Sequence, residues 1–493
     1  MVLVLLCAAA CVRTPPPTLT VAEASQPSTF DPHLHNEIAV WSTLSNVCEG
    51  LVGFSPDMRI EPALASSWRA LDPLRTRFEL RPGASFHDGT PVTAADVVAS
   101  FTRAASHPRS AVRHHLAGVA RVLPDGDAAV IVETAAPSPT LLNRLVFVSV
   151  IPRSQAGDEE IGAPIGSGPY RWAASAPEGA VTLEAAAGRQ PAPDVREVRF
   201  VYQADDYERA DAFVSGKTDI CVRIPEDVVA DIGRRPKLRL VSQPRLAVQI
   251  LTVIPEGATG IARTALADAR VRRALLIAID REALVNQVYR GLATAASQYA
   301  HPAVFGYDPG IAPLRHDPGE ARRLLAEAGY GEGFEATLGH GRISSGAMER
   351  IVADLAAVGV RVALVPLPFG DLVERMRERS VALAYFARTC TTGDVSEYLD
   401  AAIHSPEPVR RFGGENYGAF SDSEVDRLLE AAATELDPAR RLELLQMAQR
   451  RALEGLPALP LTVRWGYLGV PARLEMTPRH DEWMTVAAFR WVR

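Results

Sequence analysis

The sequence predicts an α/β protein built from more than one domain, and three observations carry that prediction. The chain has 493 residues, whereas a single hydrophobic core stops growing at roughly 250–300. Hydrophobic residues make up 47% and charged residues 23%, which suits packed cores and excludes wholesale disorder. Strand-like runs also alternate with capped helical segments. Met348–Gly359 followed by Val360–Pro366 reads as a helix and then a strand, the pattern of a sheet covered by helices.

Thr18–Ala24 alternates as a strand, and Pro27-Ser28-Thr29-Phe30-Asp31-Pro32 breaks the chain after it. Ile38–Leu51 predicts a helix ending at Gly50 or Gly53. Phe78–Leu80 is a strand entering the turn Arg81-Pro82-Gly83. Thr93 then caps a helix with Asp96 at its third position, and Val97, Val98 and Phe101 form the buried stripe. Strands follow at Ala128–Glu133, Val181–Glu184 and Val195–Tyr202. The C-terminal half adds strands at Leu246–Val253, Val360–Pro366 and Val381–Phe386. Its helices are clearly punctuated. Asp317-Pro318-Gly319-Glu320 opens one that Gly329 ends. Ser421-Asp422-Ser423-Glu424 opens a second over Val425–Thr434, and Asp437-Pro438 opens a third that runs to Gly455.

The apolar run Met1–Val12 is about half of the roughly 20 residues a membrane-spanning helix needs, and it reads as the core of a signal peptide. Ala8-Ala9-Ala10 before Cys11 resembles a bacterial lipobox, which implies a diacylated Cys11 as the lipid anchor. Ala8 stands where that pattern usually has leucine, and no Lys or Arg precedes the apolar run. Arg13-Thr14-Pro15-Pro16-Pro17 then reads as a stiff tether. Cys48, Cys221 and Cys390 have no metal-ligand spacing and are odd in number, so three buried thiols are expected.

The 52 basic and 59 acidic residues give a net charge of −7, without the basic surplus of a nucleic-acid-binding protein. No phosphate loop, dinucleotide fingerprint, HExxH or GxSxG is present. Gly166-Ser167-Gly168 is no phosphate loop, because Pro169 lacks the backbone donor an anion would need. The pairs His33/His35 and His114/His115 lack acidic or cysteine neighbours in sequence. No cofactor, no metal and no enzymatic activity are expected.

Nine segments in order resemble the family 5 solute-binding proteins, the dipeptide-, oligopeptide- and nickel-binding lipoproteins of ABC importers. Phe86-His87-Asp88-Gly89-Thr90-Pro91-Val92-Thr93-Ala94-Ala95-Asp96-Val97 through Phe101 is similar to the family signature. Glu49-Gly50-Leu51, Ile60–Trp68, Ile165–Tyr170, Val214–Ile220, Asp268–Leu275 with Ala278–Arg281, Glu320–Gly329, Asn416-Tyr417 and Leu456–Leu461 follow the same pattern. As local structure, the segment at Asp88 is a turn and a capped helix, so these motifs read as scaffold.

The resemblance implies a type II periplasmic-binding-protein fold of the large peptide-binding subclass, two-lobed, with a small domain inserted in the first lobe. Its expected divisions are signal peptide and lipobox cysteine 1–11, tether 12–17, first lobe 18–44, small domain 45–162, first lobe 163–243, second lobe 244–464, and first lobe 465–493. It implies a monomer that captures a peptide or similar small solute in the cleft for ABC permease subunits, anchored to a bacterial membrane on its extracytoplasmic face. The same fold could serve a ligand sensor, and separated carboxylates a hydrolase. For ligand contacts, the resemblance points to Asp394 as an ammonium partner, with Arg388, Cys390, Thr391 and Tyr398 in the same segment. His33, His35 and Asn36 lie opposite. Arg388 reads either as a charge at a strand end or as a carboxylate clamp. Asp394 reads equally as the cap of a helical segment through Leu399, with Glu397 at its third position.

Overall fold

One sheet of eleven strands runs through the protein. In chain order they are β1 (Thr18–Glu23), β2 (Tyr170–Ser175), β3 (Val181–Ala185), β4 (Glu197–Tyr202), β5 (Ile220–Cys221), β6 (Leu238–Val253), β7 (Ala293–Ala295), β8 (Phe334–His340), β9 (Val360–Pro366), β10 (Leu383–Thr389) and β11 (Ala458–Pro471). Their spatial order is β9-β8-β10-β6-β11-β5-β1-β4-β3-β2, with β7 also beside β11. The structure is a computed structural model and describes residues 18–188, 192–225, 227–341 and 345–492. Cys11 and the proposed signal segment lie outside the described residues.

The central strands β6 and β11 are 16 and 14 residues long, against a usual length of about five or six. Leu238–Pro244 of β6 pairs with Trp465–Pro471, on the side where Cys221 of β5 joins Gly469. Farther along, Val248–Thr252 pairs with Ala458–Val463, on the side where β10 joins β6. Between these stretches Arg245, Leu246 and Ala247 oppose Arg464 alone. Extra residues on one strand bend and twist the ladder locally, and Pro244 at the start of the bulge has no N–H to donate. The sequence pattern shows only the second stretch, Leu246–Val253, because the first mixes Arg, Ser, Gln and Pro with its apolar residues.

A separate four-stranded antiparallel sheet carries Ala65–Asp72, Arg75–Leu80, Ala129–Thr134 and Val119–Pro124, in that spatial order. The helix Ala94–Ser106 opens with the expected capping box between Thr93 and Asp96. Val97 and Phe101 pack with Phe78, Val130 and Val132 in one apolar core. The Asp88 carboxylate accepts from Thr90 N at 2.9 Å and Thr90 Oγ1 at 2.6 Å, a turn that sets up the helix. Gly166 and Gly168 are required by close approach. A β-carbon on Gly166 would lie 1.8 Å from the Val47 carbonyl oxygen, and one on Gly168 would lie 2.7 Å from those of Asn46 and Val47.

The first helix is shorter than its pattern predicts, Ile38–Leu44 rather than Ile38–Leu51. Asn46 is the reason. Its amide nitrogen donates to Ser42 O and Met484 O, each at 2.8 Å, and its Oδ1 accepts from Val486 N at 2.8 Å. A side chain competing for backbone groups favours turns over helix, and here it also ties the first helix to the C-terminal tail. Downstream, Asp422 rather than Ser421 caps the helix Ser423–Ala432, accepting from Glu424 N and Val425 N. Among the described residues no helix is long and apolar enough to cross a membrane.

Candidate functional site

β1 ends at Glu23, β5 leads into Arg223, the bulge of β6 presents Arg245, and the C-terminal tail presents Glu482. These residues come from the beginning, middle and end of the chain yet meet beside the bulge where β6 pairs with β11. Arg223 Nε lies 3.7 Å and Arg245 Nε 3.4 Å from Glu482 Oε2. The Arg245 guanidinium also lies against Gly466, where a β-carbon would come within 2.9 Å of it. Glu23, Arg223 and Glu482 line one small cavity together with Ser25 and Gln243.

Two features set this place apart. Arg223 and Glu482 both hold left-handed backbone angles, φ 54° and 64°. Such conformations cost about 1–3 kcal/mol for a non-glycine residue and cluster at binding sites. Glu23 is 4% exposed, and its Oε1 has no hydrogen-bond partner. Burial raises its pKa to about 7, against the opposing pull of the Ser42 hydroxyl and the Arg223 charge. Burial likewise lowers the pKa of Arg245. The cluster can therefore pair guanidinium forks with a carboxylate while an acidic residue receives a donor.

The residues singled out in the sequence fall into three groups. Arg388 and Tyr398 line a narrow crevice with Phe386, Glu415 and Tyr417. Arg388 Nη1 is 2.5 Å from Glu415 Oε2, and its guanidinium lies over the Tyr398 ring at 5.1 Å. Burial opposes its charge, but Glu415 keeps its pKa raised. Cys390 is buried beside them with a free thiol.

Asp394 and Thr391 belong to the loop leading into Ser396–Tyr398. Asp394 is 3% exposed and holds Arg441 through both oxygens, at 2.5 and 3.0 Å, while Oδ1 also accepts from Ser396 N at 3.0 Å. Its carboxylate is thus already neutralised within the chain. The partner of Asp394 in this structure is Arg441, which the sequence did not reveal, and the carboxylate also closes the turn at Ser396. Glu397 closes the turn by accepting from Thr391 Oγ1 and Thr392 N. This ion pair does line an open cleft of about 600 Å³, together with Asp57, Arg59, Asn143 and Phe305.

His33 and His35 are 0% and 2% exposed. His33 Nε2 meets Ser149 O at 2.9 Å, and its Nδ1 lies 3.2 Å from Arg103 Nη1. Arg103 in turn grips Asp31 through both oxygens, at 2.9 and 2.6 Å. His35 has no partner on either ring nitrogen and packs 4.4 Å from Trp41. As placed here, both histidines pack the interior and face no open cleft; Asn36 is exposed. Nothing local in the sequence marks Glu23, Arg223, Arg245 or Glu482. Among the described residues no cluster of three or more His, Cys, Asp or Glu side chains is arranged to hold a metal.

A two-lobed α/β chain whose charged side chains converge where paired strands join the lobes has the architecture of a solute-binding protein. The chain belongs to the bacterial extracellular solute-binding proteins, family 5, whose middle region matches residues 59–407. It is 27% identical over 463 residues to the glutathione-binding protein GsiB of Salmonella typhimurium, covering 90% of this chain and 88% of that protein. HbpA2 from Haemophilus parasuis superposes with a TM-score of 0.83 at 24% identity, over 96% of this chain and 99% of that one. DppA from Helicobacter pylori, an ABC-transporter-associated periplasmic binding protein solved with the peptide STSA, gives 0.79 at 20% identity, over 97% and 98%. The two superpositions establish the shared fold.

Proposed function

We propose that this chain is the solute-binding subunit of an ABC importer, capturing a small peptide-like solute that bears a carboxylate and presenting it to a membrane permease. The observation that carries the reading is the convergence of Arg223, Arg245, Glu23 and Glu482, with two strained backbones, beside the strands that join the lobes. The glutathione named for GsiB and the peptide bound by DppA are solutes of this chemical kind. Closure about the β6–β11 bulge adds contacts in one state only, which is what shifts a two-state carrier on binding. The reading includes a monomer without catalysis, the lobe and small-domain divisions given by the sequence, and a lipid anchor at Cys11 on the extracytoplasmic face.

Mass spectrometry of the solute retained through native purification tests the class. Calorimetry with glutathione and with the peptide Ser-Thr-Ser-Ala tests the site. Truncating one partner of a desolvated charge pair costs about 2–5 kcal/mol, so Arg245→Gln is expected to weaken the solute roughly 30-fold or more. Wild-type affinity in Arg245→Gln, or a retained solute without an acidic group, overturns the assignment.

A further inference from the structure

A second cavity, sharing no residue with the Glu23 cluster and lined by apolar as well as charged side chains, lies between the small domain and the second lobe. It encloses about 300 Å³ and is lined by Ser138, Thr140 and Arg144 from one side and by Asp400, Arg411 and Arg441 from the other. Its charges are unbalanced. Arg441 is committed to Asp394, and Arg410 at the rim is committed to Glu430. Arg144 donates only to neutral acceptors, Ala117 O and Ser138 Oγ, each at 2.7 Å, and its Nε is sealed without a partner. Burial lowers its pKa, with no carboxylate near enough to oppose the effect. Arg411 is exposed, sits at a left-handed φ of 63°, and among the described residues has no acidic partner.

Asp400 lines the same cavity as these two guanidiniums and pairs with neither; the cation whose charge acts on it is Arg441. Its Oδ1 is sealed from solvent and unpartnered. It lies in the π-helical turn Leu399–Ile403, a distortion that recurs at functional sites. Burial, reinforced by the neighbouring Asp394 charge, raises its pKa to about 8. At neutral pH it therefore adds an O–H donor to the cavity more than a negative charge. Two guanidiniums without counter-charge, a carboxylic acid, and the hydroxyls of Ser138 and Thr140 form a donor-rich lining. The buried Arg144 cation is costly unless an anion completes it, Arg411 offers a second, solvent-exposed guanidinium, and oxyanions accept several charge-assisted hydrogen bonds at once.

We propose that this cavity is a binding site for a small oxyanion of the phosphate or sulfate class, held by Arg144 and Arg411 with Asp400 as a hydrogen-bond donor. The site bridges the small domain and the second lobe and is independent of the solute cluster at the strand bulge.

The test is thermal unfolding and calorimetry of the full chain in sodium phosphate and in sodium sulfate, against sodium chloride at matched ionic strength. Phosphate or sulfate should raise the melting temperature above the chloride value. Arg144→Gln and Arg411→Gln should each weaken the oxyanion about tenfold or more, the loss of one charge-assisted contact. Arg144→Gln also loosens its bonds to Ala117 and Ser138, so Arg411→Gln, at an exposed residue with no partner, decides the matter if the first variant does not fold. Equal stabilisation by chloride and the oxyanions, or wild-type oxyanion affinity in Arg411→Gln, overturns the proposal.

Discussion

Arg441 and Asp394 face each other with both side chains 4% exposed, two nitrogens of one against two oxygens of the other at 2.5 and 3.0 Å. Arg441 also donates from Nε to Ala432 O at 3.0 Å and from Nη2 to Ser396 Oγ at 3.2 Å. The pair therefore pins the loop before Ser396–Tyr398 onto the long helix Pro438–Gly455.

Breaking that pair should damage the fold and not solute selectivity. Asp394→Asn leaves a buried guanidinium without its counter-charge, a loss of about 3–5 kcal/mol. Urea denaturation measures it. Joint replacement, Asp394→Asn with Arg441→Gln, should lose less than the sum of the two single changes, since the residues are in contact. Calorimetry should then show free and N-acetylated solute affected alike by Asp394→Asn. Wild-type stability with selective loss of the free amine would restore the ammonium role.

Acidity provides a second prediction. Burial lowers the pKa of His33 to about 4 and those of His35 and His115 to about 3. The folded protein keeps these rings neutral, whereas the unfolded chain takes up protons near pH 6.5. Their stabilising contribution is complete above that pH and is lost as the pH falls through it towards 3–4. Glu23 acts in the opposite sense. With its pKa raised to about 7, its contribution is complete below pH 4.5 and is lost as the pH rises through 7. His301, lowered to about 4, and Asp400, raised to about 8, join the two sides; four histidines then outweigh two carboxyls in acid, so stability should peak at about pH 6.5 and fall steeply below about pH 6. His35→Phe removes two unpartnered ring nitrogens beside Trp41. It should gain about 2 kcal/mol more at pH 5 than at pH 7.5. A parallel shift at both values would show that His35 does not titrate as described.

Thiol chemistry provides a third. Cys48, Cys221 and Cys390 are free and buried. Burial pushes the Cys221 thiol up to about 12 and raises the other two as well. Reactivity follows the thiolate and its exposure, so iodoacetamide at pH 8 should modify none of the three in the native protein and all of them in guanidinium. Peptide mapping by mass spectrometry reads each position. Native labelling of Cys390 would show that its crevice opens on the labelling timescale.

Local signals explain what was legible in the sequence. The Thr93 and Asp96 box, the Asp317 and Asp437 caps, and the strand Val360–Pro366 depend on residues within a few positions of each other, and each forms as expected. The first half of β6 was hidden because its face alternation is blurred by polar residues and ends in a bulge that only the partner strand explains. The first helix was overextended because Asn46 finds its partners some 440 residues away. The candidate site was obscured for the same reason. Glu23, Arg223, Arg245 and Glu482 carry no shared spacing, and a left-handed backbone at an arginine or a glutamate leaves no trace in composition. Asp394 was noticed, but its role depended on Arg441, 47 positions downstream.

The bond set of Asn46 also sets an order of events during synthesis. Its partners at Met484 and Val486 are made some 440 residues after it, and Phe54 O waits for Arg479 in the same way. The segment from Val253 to Ala458, by contrast, has its ends side by side, with Val253 N bonded to Pro457 O at 3.1 Å, and can close on itself earlier. The amino-terminal portion emerges first and is completed last. A nascent chain with that schedule cannot complete its amino-terminal portion until those downstream partners are made, a condition in which a polypeptide can still be threaded through a narrow channel.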